Sequence, residues 1–177
     1  MEKMRLEALR SYRILDTDPH PSFDTLTETA RLAFGAPIAF ISLLDEDRQW
    51  FKSIRGLDVT ETARAHAMCE TPVSTAETMV VPDLREHAKL KHHPLVTGSP
   101  NVRFYAGAPI IDHEGLALGA MCVMDTQPRV FEAREIALLE CLAVNAMTAI
   151  TAHHQGHLLR EAARELTLYC DREPLFA

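Results

Sequence analysis

The chain has 177 residues, of which 47% are hydrophobic and 24% charged, enough apolar material for one ordinary globular core. Its net charge of −7 disfavours broad binding to a nucleic-acid backbone, which needs a concentrated basic face. No run of about 18 apolar residues is read in the sequence, so no membrane span is predicted, and the charged, amphipathic start MEKMRLEALR is unlike a secretory signal.

In chain order, Glu2 to Tyr12 reads as a short helix with Met4, Ala8 and Leu9 on its apolar stripe, broken by Asp16-Thr17-Asp18-Pro19. A second helix begins near Ser22, carries Phe23, Leu26, Ala30 and Ala33 at helical spacing, and stops at Gly35. Pro37 to Leu44 is a buried strand and Arg48 to Arg55 its partner, turned by Asp45-Glu46-Asp47. Residues 57–67 have no period and are expected to be a loop. Met68 to Glu77 is a short helix with Pro72 in its first turn. Met79-Val80-Val81 is a short strand, and Asp83 with Glu86 forms a capping box for one helical turn. His92 to Asn101 is irregular.

Val102–Ile111 and Leu116–Met124 form a hairpin closed by Asp112-His113-Glu114-Gly115, with glycine at the position that needs a permissive backbone. Both runs are apolar at odd and even positions, so both faces of this part of the sheet should be covered. From Phe131 the pattern is helical for about forty residues. Leu139, Leu142, Ala146 and Ala149 form one stripe, and Leu159, Ala162, Leu166 and Tyr169 form a second after Gly156, where a bend or a change of partner is expected. Hairpins without βαβ crossovers predict an α+β fold with an antiparallel sheet and helices on its faces. The four cysteines, Cys69, Cys122, Cys141 and Cys170, are irregularly spaced and read as reduced thiols.

The segments RILDTDP, PIAFISLLDEDRQWFKSIRGL, NVRFYAGAPI and LGAMCVMD followed by QPR resemble the GAF domain, in the right order from about Leu9 to Leu142. They are most similar to bacterial GAF modules found beside histidine kinases and diguanylate cyclases. The resemblance implies a central antiparallel sheet of five or six strands. Terminal helices would cover one face and often form a dimer; short helices and loops of residues 57–101 would cover a ligand pocket on the other. It further implies a cytoplasmic sensory role in signal transduction, exerted through a dimer or through a kinase or cyclase output partner. No output domain is read in these residues. The implied organisation is an N-terminal helix over residues 1–16, a core over 17–130, and a long helix over 131–177. The implied dimer seam is Met4, Leu9, Leu139, Leu142, Ala146 and Leu159. Similar modules often carry Phe-Cys-His where this chain has Met68-Cys69-Glu70, so the role of that histidine is absent.

The candidate ligand-binding residues are Trp50, Cys69, Asp83, Arg103, Tyr105 and Cys122. On a strand Arg103 and Tyr105 share a face, where a guanidinium and a phenol would converge on an anionic or polar ligand. The competing role for Arg103 is an ion pair with Asp83 that fastens a loop to the sheet. Trp50 is either a stacking platform or core. Phe104, Tyr105, Met121 and Met124 are large enough to fill the pocket and leave a dimerisation scaffold. Cys69 and Cys122 raise a thiol-enzyme alternative, because free methionine sulfoxide reductases share the fold, but a catalytic thiol needs access and a lowered pKa. His153, His154 and His157 have metal-compatible helical spacing, yet a solvated helix face is the expectation. His87, His92 and His93 border the presumed pocket. The ligand is left unnamed; haem and bilin are disfavoured, and the flanking motif of bilin-binding GAF domains is not visible. No catalytic residue and no metal site are assigned.

Overall fold

In the computed structural model the described residues are 1–172, with side chains described through residue 169. The first helix, α1 (Glu2–Ser11), buries Arg5, Leu6 and Leu9, whereas Met4 remains exposed. Helix α2 (Pro21–Phe34) starts on His20, whose ring accepts the Ser22 amide, with Pro21 in the first turn where its missing N–H costs nothing. It ends at Gly35, in the left-handed conformation that glycine adopts without a Cβ penalty. Phe23, Thr27, Ala30 and Phe34 are its buried residues; Ala33, expected on that stripe, is exposed.

Six strands form one sheet in the order β3-β2-β1-β6-β5-β4, and every pairing is antiparallel. They are β1 (Ile38–Leu44), β2 (Arg48–Arg55), β3 (Glu61–Ala63), β4 (Met79–Val81), β5 (Phe104–Ile111) and β6 (Ala117–Asp125). The central strands β1 and β6 are buried at every position because both faces of the sheet are walled. The β5–β6 turn closes as expected, with the Asp112 carboxylate accepting the Glu114 and Leu116 amides at 2.9 Å each and Gly115 at φ +82°. Strand β3 and a 3-10 turn at Arg64–His66 lie where the sequence predicts a loop. Three residues are too few to show a period, and β3 is held by edge pairing to β2.

One face of the sheet carries α2 and α5 (Ala133–Arg172) over a core that includes Ile41, Leu43, Phe104 and Met121. The other is covered by α3 (Glu70–Thr75), α4 (Pro94–Thr97) and their loops, over Phe40, Leu84, Tyr105 and Cys122. Arg129 clamps the two layers at one end: it pairs with Asp125 at the end of β6 and donates to the Phe34 and Gly35 carbonyls that α2 leaves free.

Helix α5 runs unbroken for 40 residues, through Gly156. Its first half is a core helix, with Leu139, Ala146 and Ile150 fully buried. It contains one stretch apolar enough by length and composition to cross a membrane, contrary to the sequence expectation; this stretch packs its apolar side on the sheet. Leu9, Leu139, Leu142 and Ala146, expected at a dimer seam, are consumed by the chain's own core. Met4 and Leu159 are exposed. The change of environment after Gly156 takes the form of an unbroken helix whose apolar residues become exposed, with Leu159 at 72% and Leu166 at 66% exposure. Cys69, Cys122 and Cys141 are free thiols, while the expectation for the Cys170 side chain lies outside the described residues.

Candidate functional site

Strand β2 decides which side chains reach the covered face. Its pairing with β1 slips between Ile41/Ser53 and Ser42/Phe51, so Lys52 is an extra, bulged residue. Trp50 consequently packs in the helix-side core, and the Lys52 ammonium reaches Thr17 Oγ1 and the Asp18 carbonyl at 2.7 Å each. Ser53 donates to Asp24 on the same side. Phe51 turns the other way, edge-on to Phe40 with ring centroids 5.2 Å apart. Trp50, a candidate platform, is thus on the face away from the loops.

On the loop face the sheet floors a cavity of about 170 Å³. Its floor is Phe40, Phe51 and Met124; Leu57, Val59, Met68, Pro94 and Leu95 supply apolar walls. The polar lining is Gln49, Thr62, His66 and His93. Gln49 and Thr62 oppose one another across the β2–β3 pair, which puts both side chains on one face. Gln49 is 3% exposed. Among the described residues its side-chain amide makes no hydrogen bond, and the Thr62 hydroxyl is buried with no partner.

The roof is latched by His93. Its Nδ1 accepts the Leu95 amide at 3.1 Å, and its Nε2–H donates to the His66 carbonyl at 2.8 Å. Those bonds require the neutral imidazole, and burial pushes its pKa down. One turn away, Arg64 ties the same segment to the rest of the molecule. It donates to both Glu70 oxygens at 3.0 and 3.1 Å, to the Asp45 carbonyl at 2.9 Å, and to Glu2 at 2.7 Å. Glu2 also accepts a two-pronged bond from Arg5 at 2.7 and 2.8 Å. The Arg5 guanidinium beside it holds the Glu2 carboxyl at about 2, against burial, with Arg64 adding to the effect.

None of the six candidate residues lines this cavity. Cys69, Tyr105 and Cys122 form a buried cluster in the same loop-side core, with the Tyr105 hydroxyl 3.4 Å from Cys122 Sγ. Burial pushes the Cys69 thiol up to about 12 and raises Cys122 and Tyr105 well above their ordinary values. The expected Arg103–Asp83 ion pair does not form. Asp83 is taken by its near neighbour Arg85, at 2.6 Å, which holds its carboxyl at about 2. Arg103 instead donates to the Val96 and Val102 carbonyls at 2.8 and 3.1 Å, with a longer contact to Asn101 Oδ1 at 3.5 Å, and fastens the loop before β5. Of the large residues expected to fill the pocket, Phe104 and Met121 point to the helix side; Met124 is cavity lining.

His93 is the one histidine of the expected trio that reaches the cavity; His87 caps the turn that follows it by accepting the Leu90 amide. On α5 the histidines are half-buried rather than solvated. His154 meets the Tyr12 carbonyl, His157 lies 3.5 Å from Glu161, and the His153 ring packs on His20. No group of three metal-ligating side chains is brought together among the described residues. Sequence reasoning missed Gln49 and Thr62. The first was legible as a polar residue between apolar positions of β2, and the second was hidden because β3 was not foreseen.

The sequence profile of the GAF domain matches residues 18–150. A cyclic di-GMP phosphodiesterase of Pseudomonas aeruginosa is 37% identical over 138 residues, covering 77% of this chain and 24% of that protein, so the chain spans about a quarter of its relative's length. The fold is that of the GAF domain from an Acinetobacter phosphoenolpyruvate-protein phosphotransferase, with TM-score 0.66, 21% identity, 88% of this chain and 97% of that one covered. It is also that of a free methionine-R-sulfoxide reductase from Neisseria meningitidis, with TM-score 0.62, 20% identity and 87% and 90% covered. At those identities the two structures speak for the fold alone. By the extent of the profile match and the order of its strands, this chain belongs to the GAF domain family.

Proposed function

We propose that this chain is a non-enzymatic, cytoplasmic sensing module that binds a small molecule in the loop-face cavity and signals through α1 and α5 as a homodimer. The observation that carries the reading is the cavity itself. It lies between a rigid sheet and a roof of short elements, and that roof is wired through Arg64 and Glu2 to the terminal helix. A ligand that favours the closed roof shifts the balance between two roof positions, and it does so only by its difference in affinity for the two. The core of residues 17–130 senses and residues 131–177 transmit. The dimer seam lies along the distal part of α5, where Leu159 and Leu166 are exposed one heptad apart. The output partner is a signalling enzyme such as a kinase or a cyclase; the one relative named above is a phosphodiesterase of a cyclic dinucleotide.

Against the thiol-enzyme alternative stand Cys69 and Cys122, both fully buried and both with raised pKa values, the reverse of what a thiolate nucleophile requires. The test is to unfold the purified protein, identify any released molecule by mass spectrometry, and screen uncharged and charged metabolites by thermal shift. A retained or stabilising compound whose effect rises with concentration and is lost in Val59→Trp, at the cavity rim, supports the reading. If nothing is released and no compound raises the melting temperature, the chain is a scaffold rather than a sensor. Leu159→Glu with Leu166→Glu should sediment as a monomer; unchanged sedimentation removes the seam.

A further inference from the structure

The lining of the cavity carries more than its existence. Phe40 and Phe51 present ring edges and faces, Leu95 and Met124 close the sides, and among the described residues no Asp, Glu, Lys or Arg side chain is part of the wall. The nearest candidates for a cation are committed elsewhere. Arg48 is held by Asp16 and Glu61 at 2.7 Å each, Arg64 by Glu70 and Glu2, and Arg103 by backbone carbonyls. His93 uses both ring nitrogens as a neutral latch. The remaining titratable ring on the wall is His66, edge-on to His93 with centroids 6.2 Å apart, and an anionic ligand entering this space would lose its hydration and meet no lysine or arginine. The polar address that does exist is uncharged: the Gln49 amide, with two donors and an acceptor, beside the Thr62 hydroxyl.

Among the described residues the Thr62 hydroxyl is buried and unpartnered, and an unpaired polar group in a native interior calls for a reason; the Gln49 amide beside it makes no side-chain hydrogen bond although the residue is only 3% exposed. A partner that brings its own donor and acceptor supplies that reason. Size narrows the class further. A cavity of about 150 Å³ lined by aliphatic and aromatic side chains holds a single benzene ring, and this one is about 170 Å³. A cyclic dinucleotide is too large to be enclosed in this cavity.

Resting on the sensing role above, we infer that the cavity takes an uncharged single-ring compound carrying an amide-like donor and acceptor, its ring between Phe51 and Leu95 and its polar edge on Gln49 and Thr62. The arrangement is a paired-amide contact at the end of an apolar slot. Charge is disfavoured because the wall carries no lysine or arginine to balance it.

Three probes of nearly equal size separate the contributions: benzamide, benzoate and ethylbenzene, titrated into the isotopically labelled full chain and followed by amide resonances. Benzamide should bind with shifts at the Gln49 side-chain amide and at Thr62, and benzoate and ethylbenzene should bind at least tenfold more weakly. Gln49→Met and Thr62→Val should each weaken benzamide at least tenfold while leaving the melting temperature unchanged or higher. A merely structural role for these residues predicts a lower one. Benzoate binding as well as benzamide overturns the uncharged class and leaves the sensing role standing. Ethylbenzene binding as well as benzamide, or a Gln49→Met variant that keeps its affinity, overturns the polar address. Binding of none overturns the proposal, and the released-molecule experiment then decides separately whether the sensing role falls with it.

Discussion

At the scale of single residues, the chemistry of this protein turns on which polar groups are satisfied. The resemblance to the GAF domain places Cys69 and Tyr105 near the loop-covered face, and the structure puts both in the loop-side core. Their inertness was not legible in the sequence, since it follows from complete burial in a cluster assembled from β5, β6 and the segment before α3. The consequence is measurable. With an Ellman-type reagent at pH 8, Cys141, which is exposed, should react at the rate of a free thiol. Cys69 and Cys122 should stay unmodified until denaturant is added, as read by mapping the labelled peptides. Burial acts twice, blocking access and holding Cys69 near 12, so that its thiolate is scarce at pH 8. Fast native-state labelling of Cys69 would reopen the thiol-enzyme alternative. Trp50 illustrates the limit of pattern reading. Alternation along β2 says that it faces away from Gln49 and Phe51, but which face is the pocket depends on the pairing with β1.

At the scale of elements, sequence pattern carried most where the chain is regular and long. The paired strands β1–β2 and β5–β6 and the forty-residue α5 follow from apolar runs, turn residues and helical spacing. Strand β3 and the latch at His93 did not, because three-residue elements are specified by tertiary pairing and leave no period to detect. Two glycines put opposite signs on this distinction. Gly119 sits opposite Leu43 on β1, and a Cβ there would lie 2.0 Å from the Ser42 carbonyl oxygen, so Gly119→Ala must push the central strands apart. A loss of roughly 2–3 kcal/mol is expected, about 5–10 °C in melting temperature for a domain of this size. Gly156 lies inside α5, where a Cβ meets only Arg160 Nη1 at 3.5 Å, an ordinary contact. Gly156→Ala removes the entropic cost of helical glycine and should stabilise by about 0.5–1 kcal/mol. Thermal unfolding of the two variants beside the parent checks both signs. A destabilised Gly156→Ala would mean that α5 needs the glycine at that point.

At the scale of the whole molecule, the sheet separates two functions that the chain must reconnect: a pocket on one face and the helices on the other. The connection described here runs around the β1–β2 end of the sheet, from the 3-10 turn at Arg64 to Glu2 and Arg5 on α1. No local pattern announces it, since Glu2 and Arg64 are 62 positions apart and each reads alone as a surface charge. Its strength depends on pH in a defined direction. The folded-state pKa of Glu2 is depressed to about 2 from an ordinary 4.5, so its contribution to stability is fully present above pH ~4.5 and is lost as pH falls towards 2. Because Glu2 is half-exposed, solvent screening limits the ion-pair contribution to about 1 kcal/mol or less. Glu2→Gln should therefore lower the melting temperature by a few degrees at pH 6 and by much less at pH 2, where the parent carboxyl is itself about half protonated. The same variant should loosen the roof as well as the helix if the two are coupled: hydrogen exchange at residues 64–68 and at residues 5–9 should rise together at pH 6. Faster exchange in α1 alone would reduce the Glu2–Arg64 contact to a surface ion pair and cut the route from pocket to helix at that point.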